Sequence, residues 1–172
     1  MRALVLAACL TAVAAPAAQA DGWHALVDLG LSAGGLGSPV EPLGGVRVGA
    51  LVEHGWAGVE VSALVATGKL CAPSGDELEQ CGMVSFSVAP RATFWPGAAF
   101  SPYLSLDAGT VTTDDTWPML GGGLGVRYQG PRFGWYLEAD ASVILAAGTA
   151  GMVSLSTGVL IELGGPRRPP AH

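Results

Sequence analysis

Charge is scarce in this sequence. Asp, Glu, Lys and Arg make up 13% of its 172 residues, against about 25% in ordinary soluble domains. The basic share is smaller still, with eight Lys and Arg against fourteen acids. No basic patch of the kind that neutralises phosphates can be assembled from so few, which excludes a nucleic-acid face. Long apolar runs are also missing after the first fifteen residues, although half the chain is hydrophobic. A helical protein with several membrane spans is therefore excluded. Cysteine is rare, with three residues. Glycine, in contrast, is abundant at twenty-six residues, which argues against a helical bundle because each interior glycine weakens a helix.

Arg2, the apolar run that follows it to Ala15, and the small residues of Ala18-Gln19-Ala20 read as a cleaved secretion signal over residues 1–20. Leu6-Ala7-Ala8-Cys9 also fits a lipobox, but eight residues are too few for a charged and a hydrophobic region together. Loss of Arg2 with the signal takes the formal net charge from −6 to −7. Cys71 and Cys81 then remain as an even pair in an exported, oxidising setting. A disulfide between them would close a loop of turn-forming residues and add about 2.5–3 kcal/mol by chain entropy.

From Trp23 onward the period is two, and eight such runs follow. Val46, Val48, Ala50 and Val52 oppose Arg47, Gly49 and Glu53 in one. In another, Leu120, Leu124, Val126 and Tyr128 oppose Gly121, Gly123, Gly125 and Arg127. Ten ionisable residues other than histidine lie in the runs, and all ten fall on the small, polar face. Pro90 sits inside the fourth run, where it lacks the N–H for a ladder, so a bulge or frayed register is expected there. Connections after the second, fourth and sixth runs are short. Those after the first, third and fifth (residues 33–44, 68–82 and 112–118) are longer and rich in turn residues, and the last, 146–151, is short but glycine-rich. Short turns at one end and longer loops at the other describe an up-and-down antiparallel sheet.

Period two alone does not say whether the apolar face meets a protein core or lipid. Lipid is favoured on three grounds. The strands carry too few charges to coat a soluble barrel. The polar face is crowded with Gly, Ser and Ala, as suits the inside of a narrow cylinder. Finally, aromatic residues including Trp23, Trp56, Trp95, Tyr103, Tyr128 and Trp135 gather at the short-turn end, as in an interfacial girdle. Together these features resemble the small eight-stranded outer-membrane β-barrels, of the kind that includes OmpA-like transmembrane domains and OmpX. The resemblance covers about residues 22–164 and rests on pattern alone.

The resemblance implies an all-β, eight-stranded antiparallel up-and-down transmembrane β-barrel over residues 21–164 of a Gram-negative outer membrane, followed by a Pro- and Arg-rich tail at 165–172. It implies outer-membrane lipids, the barrel assembly machinery and periplasmic chaperones as partners, no nucleic acid, and a surface partner the sequence does not specify. In the final strand Ser156-x-Gly158-x-x-Ile161-x-Leu163 matches the family's assembly signal, except that an aliphatic residue stands where an aromatic one is usual. Two alternatives stay open: a secreted soluble β-barrel that binds a ligand, and a single-span protein with a helix near residues 141–161.

On the polar face the charges run Asp28, Arg47, Glu60, Arg91, Asp107, Arg127, then Glu138 with Asp140, acid and arginine alternating strand by strand. A salt-bridge network filling the lumen is the expectation, because buried charges are tolerable only when paired. Seven acids face three arginines, so the interior carries excess negative charge, which fits a plugged core or at most a narrow cation-favouring path, porin-like in sign but not in width. Glycines 121, 123 and 125 are expected to leave room for Arg91 or Tyr136. No catalytic motif is recognised. His24 and His54 lack the His-x-Ser serine of barrel deacylases, leaving only a cross-strand pairing of His24 with Ser154 or Ser156 to consider. No cofactor and no metal site is expected. The long loops hold Glu41, Asp76, Glu77, Glu79, Asp114 and Asp115 against Lys69, an acidic rim that suits plain solubility better than divalent-cation bridging.

Overall fold

A computed structural model describes residues 22–37, 41–68, 81–113, 115–130, 133–146 and 150–163. Each of the eight alternating runs forms one strand: β1 (Trp23–Leu36), β2 (Glu41–His54), β3 (Ala57–Gly68), β4 (Cys81–Thr93), β5 (Phe100–Thr112), β6 (Thr116–Gln129), β7 (Phe133–Ile144) and β8 (Ala150–Leu163). Every strand pairs antiparallel with its sequence neighbour, and β8 pairs with β1 to close the barrel. Closure satisfies the backbone N–H and C=O groups within the wall and leaves no sheet edge. Residues 1–20, the Cys71 to Cys81 disulfide and the tail from residue 165 lie outside the described residues.

The stagger of the closed sheet can be read directly from its register. Following Cα partners from His24 through Glu53, Gly58, Arg91, Ser105, Gly123, Asp140 and Ser154 leads back to β1 at Gly34, ten residues further on. Eight strands with this stagger tilt by about 40° and enclose a cylinder just wide enough for side chains to fill.

Strands extend further toward the long-loop end than the turn residues suggest. Gly34 and Gly35 pair with Leu43 and Pro42 in the β1–β2 ladder, and Trp117 and Pro118 belong to β6. Neighbouring strands on both sides override the local turn preference of Gly and Pro. Pro90 produces no bulge. Pairing is frayed there instead: the β4–β5 ladder keeps one register from Val88 opposite Ala108 to Arg91 opposite Ser105 but lacks bridges at the two positions between. On its other side Pro90 pairs with Val59 without interruption.

Outward side chains are apolar and exposed, among them Leu29, Leu31, Leu106, Leu124 and Val153, all more than half accessible. Inward ones are buried, and they include Asp28, Arg47, Glu53, Glu60, Arg91, Arg127 and Glu138. The molecule is thus inverted relative to a soluble domain, with its charges inside and its hydrocarbon outside.

Candidate functional site

The lumen is built in layers, each drawing in-phase residues from several strands. At the short-turn rim His24 Nδ1 lies 2.8 Å from Glu162 Oε1, joining β1 to β8. Next to it Arg127 on β6 donates twice to Glu53 on β2, from Nη1 to Oε2 at 2.7 Å and from Nη2 to Oε1 at 3.0 Å. This forked pair spans the cylinder, and both side chains are almost fully buried.

Above it four side chains form a closed ring of alternating sign. Arg47 bonds Glu60, Glu60 bonds Arg91, Arg91 Nη2 lies 3.5 Å from Glu138 Oε2, and Arg47 Nη1 donates to the same oxygen at 2.9 Å. Ser105 adds a hydrogen bond to Glu138 Oε1 at 3.0 Å. Because β2, β3 and β4 supply three members and β7 the fourth, the ring ties one wall of the barrel to the opposite one. Planar guanidinium forks make this possible, since each can serve two carboxylates at once.

Two tyrosines frame the ring, and both require glycine beneath them. The Arg91 guanidinium stacks 4.0 Å from the centre of the Tyr103 ring, and that ring covers Gly125, where a Cβ would overlap it. Tyr136 lies over Gly158 and reaches Gly30, where a Cβ would meet its hydroxyl. That hydroxyl is 3.4 Å from Asp28 Oδ1. The glycine stripe of β6 therefore accommodates Tyr103 at Gly125, Asp140 at Gly123 and Ser142 at Gly121. It does not accommodate Arg91 or Tyr136.

Tyr103 corrects its sequence assignment to the girdle. It is 1% exposed and points into the lumen, because it shares strand parity with Ser105 and Asp107. Trp23, Trp56, Trp95, Tyr128 and Trp135 lie on the outer surface at the short-turn end together with Phe94, Phe100 and Phe133. There Trp23 packs against His54, and Phe100 against Tyr128. Trp95 occupies the β4–β5 turn at a φ of 51°.

Beyond the charged ring the lumen turns to serine. Ser62, Ser85, Ser87, Ser142, Ser154 and Ser156 surround a cavity of about 40 Å³, together with Asp107 and Asp140. Ser62 and Ser87 hydrogen-bond each other at 2.9 Å, Ser156 donates to Ser32 at 3.0 Å, and Ser154 approaches Asp140 at 3.4 Å. With His24 held by Glu162, no His–Ser pair forms with Ser154 or Ser156. No cluster of three or more His, Cys, Asp or Glu suited to a metal occurs among the described residues.

The long-loop end is closed by a collar absent from the sequence reading. Leu36, Leu43, Ala66, Met83, Val111, Met119, Ile144 and Met152, one residue from every strand, form a single buried cluster with Leu64 and Trp117 packed against it. Each lies in phase with the polar face, and that phase was the available signal.

No known protein family's sequence profile matches the chain, and no curated protein matches it by sequence. Solved structures do. Neisserial surface protein A superimposes with a TM-score of 0.62 at 18% identity, over 82% of this chain and 97% of that one. Ail, the attachment invasion locus protein of Yersinia pestis, in complex with the heparin analogue sucrose octasulfate, gives 0.53 at 16% identity, over 81% and 99%. A de novo designed transmembrane β-barrel gives 0.50 at 13% identity, over 84% and 98%. The chain therefore has the fold of the small eight-stranded outer-membrane β-barrels.

Proposed function

We propose that this chain is an outer-membrane barrel with a structural or surface-interaction role, whose lumen is packed too tightly for a porin-sized channel. The observation that carries this reading is the inversion of the fold, with leucines and valines exposed on the outer wall and arginine–carboxylate bridges inside. Water is a poor solvent for that outer wall and lipid a good one. Aromatic rings at the short-turn end suit the headgroup level of one leaflet.

With the short turns on the periplasmic side, as in the related fold, the longer loops face outward. Their sequence is acidic, with Asp76, Glu77, Glu79, Asp114 and Asp115 against Lys69, and Glu41 begins β2 where the first of them ends. The heparin analogue bound to Ail is a polyanion, and an acidic rim would repel such a ligand. A cationic or neutral surface partner fits this chain better.

Heat modifiability tests the reading. The chain extracted in mild detergent is expected to migrate differently on a gel before and after boiling; equal mobility, or recovery in the aqueous fraction without detergent, would sink it. In planar bilayers at neutral pH conductance is expected to be small or absent, and stable nanosiemens steps would contradict the closed lumen.

A further inference from the structure

We infer that the barrel wall has a hydrated break between β4 and β5, at Ala89 and Pro90 facing Asp107 and Leu106, where these two strands part and the lumen opens sideways toward the lipid. This goes beyond the role proposed above and rests on the closed barrel and its apolar outer face.

Backbone bonding is the first support. Arg91 opposite Ser105 keeps the register of Val88 opposite Ala108, so Pro90 stands opposite Leu106 and Ala89 opposite Asp107, yet neither position is bridged. Toward β3 the same two residues pair without interruption. The N–H that proline lacks is therefore one that would have faced β5, and a β5 carbonyl has lost its ladder donor. The other seven ladders run without a gap among the described residues. Leu104, Leu106 and Val88 are exposed on the outer face at this level, so the break lies within the apolar wall and not at its rim. A carbonyl without a donor is costly there, because hydrocarbon supplies none. It is the exception to the closure described above.

A second support comes from inside the cylinder. The Asp107 side chain points into the lumen, and its shielded Oδ2 makes no hydrogen bond among the described residues. An ionised carboxylate and a carbonyl are both acceptors, so neither can satisfy the other. Both ask for a donor, and water supplies it. The serine-lined void behind the break, with Ser85 and Ser87 of β4 and Asp107 of β5 in its wall, has about 40 Å³, room for one or two such molecules.

The break is bounded on both sides. Toward the long loops Ser87 is bridged to Gly109, where an added Cβ would overlap the Phe86 carbonyl oxygen, so the strands approach closely. Toward the short turns Arg91, Ala92 and Thr93 are again bridged to β5, and the Arg91 guanidinium stacks on Tyr103. Parting is thus local, and the pinned ends return the strands to register.

Amide exchange followed by NMR tests this on the full chain in lipid bicelles. Leu106 and the amides in phase with the missing N–H, those of Val88 and Ala108, are expected to exchange at least about tenfold faster than those of Ala139 and Leu155, which stand opposite each other in the unbroken β7–β8 ladder. Pro90→Val returns the donor and should slow the three amides to the rate of that reference pair. Magnetisation transfer from water in the unmodified chain gives a check independent of the variant's folding: transfer is expected at Leu106 and Asp107 and not at Ala139 and Leu155. Equal exchange at the break and in the reference pair, exchange unchanged by Pro90→Val, rapid exchange along every ladder, or no transfer from water at Leu106 and Asp107 would each overturn the inference. Fast exchange confined to the break in a chain recovered without detergent would support the parting of the strands while rejecting the membrane role proposed above.

Discussion

The two halves of the lumen solve the same packing problem by opposite chemistry. Toward the short turns, arginines, glutamates and tyrosines fill the cylinder through directed contacts between opposite walls. Toward the long loops, eight aliphatic and methionine side chains close it with no directed contact at all. The charged half depends on complete partnership, since a buried ion left alone retains its desolvation penalty. The apolar half tolerates imperfect fit, and its three methionines are adaptable fillers. Specification of one register thus falls to the charged half, and exclusion of water to the apolar one.

Removing a partner from the ring should break that contrast most sharply. Glu138→Ala leaves Arg47, Arg91 and Ser105 facing a void, and a loss of about 3–5 kcal/mol in urea unfolding, followed by gel mobility, is expected. A loss below that of a collar truncation would remove the ring from its structural role. In the collar, Met83→Ala should lower stability by about 2–3 kcal/mol, because Met119 and Met152 can relax into the space. Replacing Met83 and Met119 together by serine tests which half closes the lumen: bilayer recordings should still show no steps, because the Arg47–Glu60–Arg91–Glu138 ring and the Arg127–Glu53 pair continue to fill the cylinder, and cation-selective steps would show that the collar alone is the seal.

A milder loss, about 1–3 kcal/mol, is expected for Gly125→Val, whose added carbons overlap the Tyr103 ring. Adding Tyr103→Ala should recover part of it, and failure to do so would show that the glycine serves something other than the tyrosine. The smallest effect belongs outside the lumen. Trp56→Ala lies in an exposed turn, so its unfolding free energy should stay within about 0.5 kcal/mol of the original, while tryptophan quenching by brominated headgroup-level lipids should decrease.

The alternation of Val, Leu and Ala with Gly, Ser and charged residues made all eight strands legible, because a barrel wall has one wet and one oily face over its whole length. The partners of each charge were not legible. Strand order suggests neighbours, yet Arg47 reaches Glu138 and Arg127 reaches Glu53 through the middle of the cylinder, and only closure with a stagger of ten residues sets those heights. Asp28 and Asp107 stand in the same alternating series as the ring members but join no ion pair with an arginine among the described residues. Tyr103 was misassigned from its place near a strand end, although its parity with Ser105 pointed inward. The collar escaped notice because Leu36, Leu43, Met83, Met119 and Met152 are apolar residues on the nominally polar face, close to glycines and prolines that read as loop.

Closure of β1 on β8 with an even strand count has one more consequence. Ala25 stands opposite Leu163, so the first and last strands begin and finish side by side on the rim that carries the short turns. A passenger domain joined to either end would emerge on that one side, and the chain could be joined across this seam and reopened at Gly55 without moving any loop to the other rim. The strand ends from which the longer loops leave, at Leu36, Glu41, Gly68, Cys81, Thr112, Thr116, Ile144 and Ala150, all lie on the opposite rim.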